Sequence, residues 1–161
     1  MRGDNFLLGG VPITAAELAA LPGDPAGLRR WLVKRLKDTG SQEPRDYSLF
    51  WNGLHLVRDL PVPPRVRAAA YRMFADIDGV TFLGGVTDQR GRPGLAVAYA
   101  RKGDTGAVSQ TRLIVDPRTG RALAQESWNL GGPGSAGDPA RLVSYDLLVS
   151  AEFTDDAPPT R

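Results

Sequence analysis

The chain contains no cysteine among its 161 residues, so disulfides, thiol nucleophiles and thiolate metal sites are excluded. Its single histidine, His55, leaves no second imidazole for a usual zinc site. No apolar run approaches the roughly 20 residues of a membrane-spanning helix. The N-terminus also lacks the apolar stretch of a signal peptide. We therefore expect no metal ion and no cofactor, and a contact with membrane only through a segment that this sequence does not contain.

Lysine is scarce, since 17 of the 20 basic residues are arginine, and the net charge is only +2. A charge this small produces no strong field that would draw the chain to nucleic acid or membrane. The second predicted helix does carry a basic face, but nearby acidic residues dilute it, and such faces are usually solvated. We therefore predict no nucleic-acid partner. The basic residues of this face are Arg29, Arg30, Lys34, Arg35 and Lys37.

Apolar residues follow helical spacing up to Ile77-Asp78-Gly79-Val80 and strand alternation after it. Before this junction, a capping box of Thr14 and Glu17 opens a short helix, and Asp24-Pro25 opens a second that ends at Gly40-Ser41. A third helix is predicted over about 46–60. A fourth begins at Pro63-Pro64, with apolar residues in register up to Ile77.

The second half alternates as strands over 80–86, from about 95 to 99, over 109–115, over 121–130 and over 143–153. In the last of these, Val143, Tyr145 and every second residue up to Phe153 are apolar, which predicts a strand with one face against a core. Helices segregated from hairpins indicate an α+β fold, with N-terminal helices packed on one face of a five-strand antiparallel meander. We predict one domain over 1–155, with helices over about 14–78, the sheet over about 80–153, and a flexible tail over 156–161.

Two motifs suggest chemistry, and each has a plainer structural interpretation. His55 and Asp59 lie one helical turn apart, as in a base-catalytic dyad, but a structural histidine is the better interpretation. Gly132 to Gly137 fits the G-x-G-x-x-G pattern of dinucleotide loops, yet a strand rather than a helix is predicted to follow it. In the same loop, Pro133 replaces the first glycine of a nucleophile elbow, so Ser135 is not a credible nucleophile. We predict no catalytic residue.

Several segments together resemble the C-terminal half of a family of actinobacterial membrane-anchored proteins of unknown function. They are Leu21 to Leu28, Asp59 to Arg72, Ile77 to Val80 and Asp116 to Gly120. The resemblance covers about 13–155, and its motifs are caps, turns and helix starts. It implies an extracytoplasmic domain, often encoded beside extracytoplasmic-function sigma factors and similar to the half-barrels of lipoprotein carriers and sigma regulators. The family's transmembrane helix and first strands are not found in this sequence.

The leading hypothesis is a non-catalytic binding or sensing module, linked by the resemblance to envelope or sigma-factor regulation. It would hold a hydrophobic small molecule, a lipid or a protein segment between helices and sheet. The predicted contact residues are the aromatic side chains Trp51, Phe50, Tyr71 and Trp31. The alternative is a structural interaction domain, completed by missing strands or another chain, with dimerisation as its signature. An enzyme that uses His55 and Asp59 is the third hypothesis.

Overall fold

The structure, a computed structural model, describes residues 5–38, 43–132 and 139–149. A short hairpin comes first, then four helices, and then five strands. The helices are α1 (Ala15–Ala20), α2 (Pro25–Asp38), α3 (Arg45–Arg58) and α4 (Pro64–Phe74). The strands are β1 (Asn5–Leu8), β2 (Val11–Thr14), β3 (Val80–Thr87), β4 (Pro93–Lys102), β5 (Val108–Val115), β6 (Ala122–Asn129) and β7 (Arg141–Leu147).

The helices begin where the cap residues predict. At α1, Thr14 and Glu17 form the complete capping box, in which each side chain accepts a hydrogen bond from the other residue's backbone. At α2, Asp24 accepts a hydrogen bond of 2.6 Å from the backbone N–H of Gly27. The predicted end of α2 at Gly40-Ser41 lies outside the described residues.

The N-terminal hairpin of β1 and β2 was not predicted from the sequence. Gly9 and Gly10 form its two-residue turn with φ of +61° and +79°, which only glycine adopts readily. Phe6 pairs with Ile13 across this hairpin. The hairpin packs its buried residues Leu8 and Ile13 into the helical core, so the fold remains α+β.

The five-strand sheet confirms the predicted meander. Its strand order is β3-β4-β5-β6-β7, and every neighbouring pair is antiparallel. The predicted irregularity at Gly84-Gly85 is present, because the register of β3 shifts between Phe82 and Gly84. No parallel strand pair exists among the described residues, and the strand Arg141–Leu147 stands where a dinucleotide fold would need a helix.

The helices cover one face of this sheet, as predicted. Leu113 of β5 lies wholly within the main core, and Val97 and Tyr99 of β4 pack against that core. The opposite face carries a small separate cluster of Ala96, Ile114 and Ala124. The main core is shared by helices and sheet, since it contains residues of α2, α3, α4 and β5. The predicted bounds of a single domain stay a prediction. Residues of the predicted tail lie outside the described ranges.

The expected burial of the last strand is wrong. Val143 is 61% exposed and Tyr145 is 51% exposed, and the strand ends at Leu147, before the 70% exposed Val149. β7 is an edge strand, and its pairing with β6 skips Val143, because Ser127 pairs with Ser144 and Trp128 with Leu142. Tyr145 pairs with Glu126, which lies on the same sheet face as Ala124, the face that the helices do not cover. The predicted positions beyond 149 lie outside the described residues.

Within the described part of the chain, we find no helix of the length and apolar character that crossing a membrane requires.

Candidate functional site

A cleft of about 800 Å³ opens at one end of the interface between helices and sheet. The β3–β4 turn, the β5–β6 turn and the end of β7 lie at the same end of the antiparallel sheet, because the chain reverses at each connection. The connection between α3 and α4 faces these three segments across the cleft.

The helical wall of the cleft depends on the proline-rich connection Leu60 to Pro64. Pro61, Pro63 and Pro64 cannot donate the backbone hydrogen bonds that a continued helix would need. The segment is therefore extended, with Pro63 at φ −59° and ψ 153°, until α4 begins at Pro64. As a result, α3 and α4 are joined by a short, mostly apolar segment that lines the cleft.

More than half of the residues that line the cleft are apolar. Phe6 from the N-terminal hairpin contributes one wall, and the sheet contributes Leu123 and then Leu148 and Val149 after β7. The connection between α3 and α4 contributes the apolar side chains Leu60 and Val62. Native interiors are packed to a density that leaves few voids larger than a water molecule, so an opening of this size with apolar walls is a candidate binding site.

Four arginines and two aspartates also line the cleft, so the charged groups of its wall sum to +2. They are Arg58, Arg67, Arg92, Arg121, Asp59 and Asp116. Guanidinium groups pair well with carboxylates and phosphates. The cleft therefore combines apolar side chains with basic ones in its lining.

Arg92 connects three segments of the cleft wall through its hydrogen bonds. Its Nε donates to Asp88 at 2.6 Å, and its terminal nitrogens donate to the carbonyl oxygens of Leu148 and Leu123, each at 2.8 Å. Arg92 thereby ties the β3–β4 turn to β6 and to the segment after β7. The same turn buries Asp88, whose residue is 4% exposed.

The Asp88 carboxylate stays ionised in this buried position. Burial alone would raise the pKa of Asp88, but hydrogen bonds from the backbone and side chain of Arg92, and from the backbone of Arg90, hold it below its ordinary value. The two backbone bonds measure 2.9 Å each. An ionised Asp88 anchors Arg92, and through it the sheet side of the cleft.

The four predicted contact residues do not line this cleft. Phe50 is completely buried; its ring stacks on that of Tyr99 with centroids 5.3 Å apart and lies 5.4 Å from Phe74. Tyr71 is half-buried beneath the β5–β6 turn. Trp51 and Trp31 are partly buried against the main core. Their predicted contact with a ligand stays a prediction.

Trp51 nevertheless has one unusual feature. Its indole Nε1 is buried and finds no hydrogen-bond partner among the described residues. Its ring lies edge-on to Tyr47, with centroids 6.0 Å apart. An unpartnered buried N–H is costly, so Trp51 is held here by packing rather than by hydrogen bonding.

His55 and Asp59 do approach each other, as their spacing predicts. His55 Nε2 lies 3.6 Å from Asp59 Oδ2, and the imidazole is about one-third exposed. Arg58 competes for the same carboxylate, since its Nε donates to Asp59 Oδ1 at 2.7 Å. Of the pair, only Asp59 lines the cleft. The arrangement is therefore a surface ion-pair cluster at the end of α3.

The basic face of α2 is partly structural. Arg35 donates to the carbonyl oxygens of Val11 and Pro12 at 3.0 and 2.7 Å, and its guanidinium lies 5.1 Å from the Trp31 ring centroid. Arg35 thus holds the N-terminal hairpin against α2. A shallow depression of about 280 Å³ is lined by Arg29 and its basic neighbours, with no apolar interior beyond Val33.

The glycine-rich loop and the expected absence of a metal ion are the remaining predictions from the sequence. Residues 133–138 of the glycine-rich loop, including Ser135, lie outside the described residues. Within 5–38, 43–132 and 139–149, no group of three or more His, Asp or Glu side chains is placed to hold a metal ion. The cleft arginines were missed because they are far apart in the sequence, and only the chain reversal at each sheet turn brings them together.

Comparison with known proteins identifies no matching family model, no similar curated protein and no similar solved structure.

Proposed function

We propose that this protein is a non-catalytic binding module that holds a ligand with an apolar body in the cleft between the α3–α4 connection and the sheet end. The observation that carries the proposal is the open volume of about 800 Å³ with apolar walls. This volume falls within the range of small-molecule sites, about 300–1,000 Å³. The link to envelope or sigma-factor regulation rests on the sequence resemblance alone.

Burial of apolar ligand surface would supply the binding free energy. Leu60 stands on the helical side of the cleft and Leu123 and Val149 on the sheet side, so a ligand between them would contact apolar side chains on both sides. Each Å² of apolar surface removed from water contributes about 25 cal/mol. The prolines of the α3–α4 connection limit backbone freedom there, so little ordering of that wall is needed on binding.

The experiment uses a neutral apolar fluorescent probe, N-phenyl-1-naphthylamine, titrated into the full chain. A Val149→Asp substitution places a charge on the cleft wall and should weaken probe binding by about tenfold, since a charge is poorly accommodated beside an apolar ligand. Val143→Asp is the matched control, because Val143 is similarly exposed but lies outside the cleft lining. Equal affinities for the two variants would refute the cleft as the binding site.

A second candidate function, a structural interaction domain, is favoured by the sheet edges. Phe82 on β3 is 64% exposed, and Tyr145 projects from β7 at the other edge. Neither edge has a second strand partner among the described residues. Unpaired edges can accept a strand from another chain. Light scattering on the eluted protein tests this function: dimers that Phe82→Lys or Tyr145→Lys converts to monomers would support it, and a wild-type monomer at all concentrations would exclude self-association.

A further inference from the structure

The four arginines of the cleft differ in how many hydrogen bonds and ion pairs they make with the protein. Arg58 is bound to Asp59, donates to Gln125, and lies 3.6 Å from Asp146. Arg92 is committed to Asp88 and to two backbone carbonyl oxygens. These two guanidinium groups already have protein partners and would lose them if they turned toward a ligand.

The two remaining arginines are largely unoccupied. Arg67 makes one hydrogen bond, from Nη1 to the carbonyl oxygen of Val62 at 3.0 Å, which points its stem along the helical wall. Arg121, in the β5–β6 turn on the sheet side of the cleft, makes no side-chain hydrogen bond or ion pair with any residue in the described ranges. The free donors of the cleft therefore lie on both sides of it.

The cleft aspartates do not offset these two arginines fully. Asp59 is paired with Arg58. Asp116 accepts hydrogen bonds from the Arg118 backbone at 2.8 Å and from Thr119 Oγ1 at 3.0 Å. The carboxylate of Asp116 is thus bound by residues of its own turn. The guanidinium groups of Arg67 and Arg121 therefore give the cleft a net positive charge beside its apolar side chains.

We propose that the occupant of the cleft is a single-chain amphiphile whose anionic head group is bound by Arg67 and Arg121. This inference rests on the proposed function, because the alkyl chain would lie against the apolar walls. Charge complementarity selects an anionic head, and planar guanidinium groups bind carboxylates and phosphates with paired hydrogen bonds. The cleft, at about 800 Å³, suits one alkyl chain better than the two of a phospholipid.

The first experiment compares ten-carbon ligands by isothermal titration calorimetry with the full chain. The probes are decanoate, decyl phosphate, 1-decanol and decyltrimethylammonium, which share a chain and differ in head-group charge. We expect the tighter of the two anions to bind about tenfold more tightly than decanol, and the cation to bind most weakly. The preference between decanoate and decyl phosphate identifies the head group as a carboxylate or a phosphate.

The second experiment tests the two arginines. Arg121→Gln should abolish most of the preference for the anions over decanol, because its side chain has no hydrogen-bond or ion-pair partner among the described residues and its loss removes mainly the charge. Arg67→Gln should act in the same direction. Arg118→Gln is the matched control, since Arg118 belongs to the same turn as Arg121, is 88% exposed and does not line the cleft. Its anion preference should remain that of the wild type.

The outcomes separate the two proposals. If none of the four ligands binds, both the proposed function and this inference fail. If decanol binds as tightly as both anions, the apolar site stands and the anion inference is overturned. If inorganic phosphate alone binds as tightly as decyl phosphate, the site recognises an anion without a chain, which also overturns the amphiphile. A preference that survives Arg67→Gln and Arg121→Gln together would show that other groups bind the head.

Discussion

The phenol of Tyr71 on α4 donates a hydrogen bond of 2.8 Å to the carbonyl oxygen of Gly120 in the β5–β6 turn. Gly120 adopts a φ of +65°, which turns the chain sharply into β6. This single bond joins the last helix to the turn that carries Asp116 and Arg121 on the cleft wall. Tyr71, chosen from the sequence as a ligand contact, therefore has a visible role in positioning the sheet side of the cleft.

Replacement of Tyr71 by phenylalanine should destabilise the fold by about 1–2 kcal/mol. The ring and its packing against Phe74 are kept, so the loss reports the hydrogen bond to Gly120. Urea unfolding followed by tryptophan fluorescence measures the change. Tyr145→Phe is the control, because Tyr145 is half exposed on β7. If both variants lose the same free energy of unfolding, the hydrogen bond from Tyr71 to Gly120 stabilises the fold no more than the exposed hydroxyl of Tyr145 does.

Alkaline pH should destabilise the wild type more than Tyr71→Phe. Burial raises the pKa of Tyr71 above its ordinary value of about 10, although the positive charge of Arg67 opposes part of the rise. The neutral phenol therefore stabilises the fold fully below about pH 10, and this stability is lost as pH rises above that value. Unfolding free energies from pH 8 to 11 should converge for the two proteins. Parallel curves would contradict the assignment.

The sequence predicts the local features of this fold well, because short-range rules specify them. The capping box of Thr14 and Glu17, the proline start of α4 and the positive φ of Gly79, +87°, each follow from residues within one turn. The hairpin at Gly9-Gly10 carried an equally local signal, a two-glycine turn between apolar runs, which the helical interpretation of this half overlooked.

Short-range sequence rules could not predict the cleft, because its lining residues are distant in the sequence. Arg67 and Arg121 lie 54 positions apart, and neither belongs to a recognisable motif. The aromatic side chains suggested a site because large rings are common in binding pockets, yet Phe50 fills the core between α3, α4 and β4. Ring size alone does not distinguish a core residue from a ligand contact.

The Asp88–Arg92 pair should be essential for the sheet side of the cleft. Asp88→Asn removes the charge that anchors Arg92 and should cost about 2–3 kcal/mol, since buried charge-assisted hydrogen bonds are strong. Hydrogen exchange at the Leu148 amide, which bonds to Leu123 at 2.8 Å, should quicken because Arg92 no longer fixes that segment.

Asp104→Asn is the control for this change, as Asp104 is an exposed turn residue. Because the pKa of Asp88 is lowered in the fold, its contribution exists above pH about 4 and is lost as pH falls below that value. The difference in unfolding free energy between the wild type and Asp88→Asn should therefore decrease as the pH is lowered below about 4. A gap that is constant from pH 7 to pH 3 would exclude a role for the charge.

Gly53 on α3 should not tolerate alanine, although alanine favours helices by about 1 kcal/mol. A Cβ at this position would lie 2.6 Å from Phe74 Cε1 and 3.1 Å from Met73 Cε, so α3 and α4 would have to separate. We expect a net loss of about 1–3 kcal/mol. Gly85→Ala is the control, because the space around Gly85 is open. Thermal or urea unfolding that shows Gly53→Ala to be as stable as the wild type would contradict this packing.

The two tryptophans that differ in hydrogen bonding should respond differently to phenylalanine. Trp128 Nε1 donates to the buried carboxylate of Glu126 at 2.8 Å, and Arg112 lies 4.2 Å from the Trp128 ring centroid. Trp51 Nε1 has no partner among the described residues. Trp128→Phe leaves Glu126, 2% exposed, with the Gln89 amide as its side-chain donor within the described part of the chain, whereas Trp51→Phe removes an unsatisfied N–H.

We expect Trp128→Phe to lose about 1–2 kcal/mol more than Trp51→Phe, since both lose the same atoms and only one leaves a buried anion short of a donor. Urea unfolding of both variants, followed by circular dichroism, measures the difference without relying on indole emission. Glu126→Gln in the Trp128→Phe background should recover part of the loss, because a neutral amide tolerates the missing donor better than a carboxylate does. If Trp51→Phe loses more free energy of unfolding than Trp128→Phe, the packing of the Trp51 ring on α3 contributes more to stability than the hydrogen bond from Trp128 to Glu126, and the prediction is wrong.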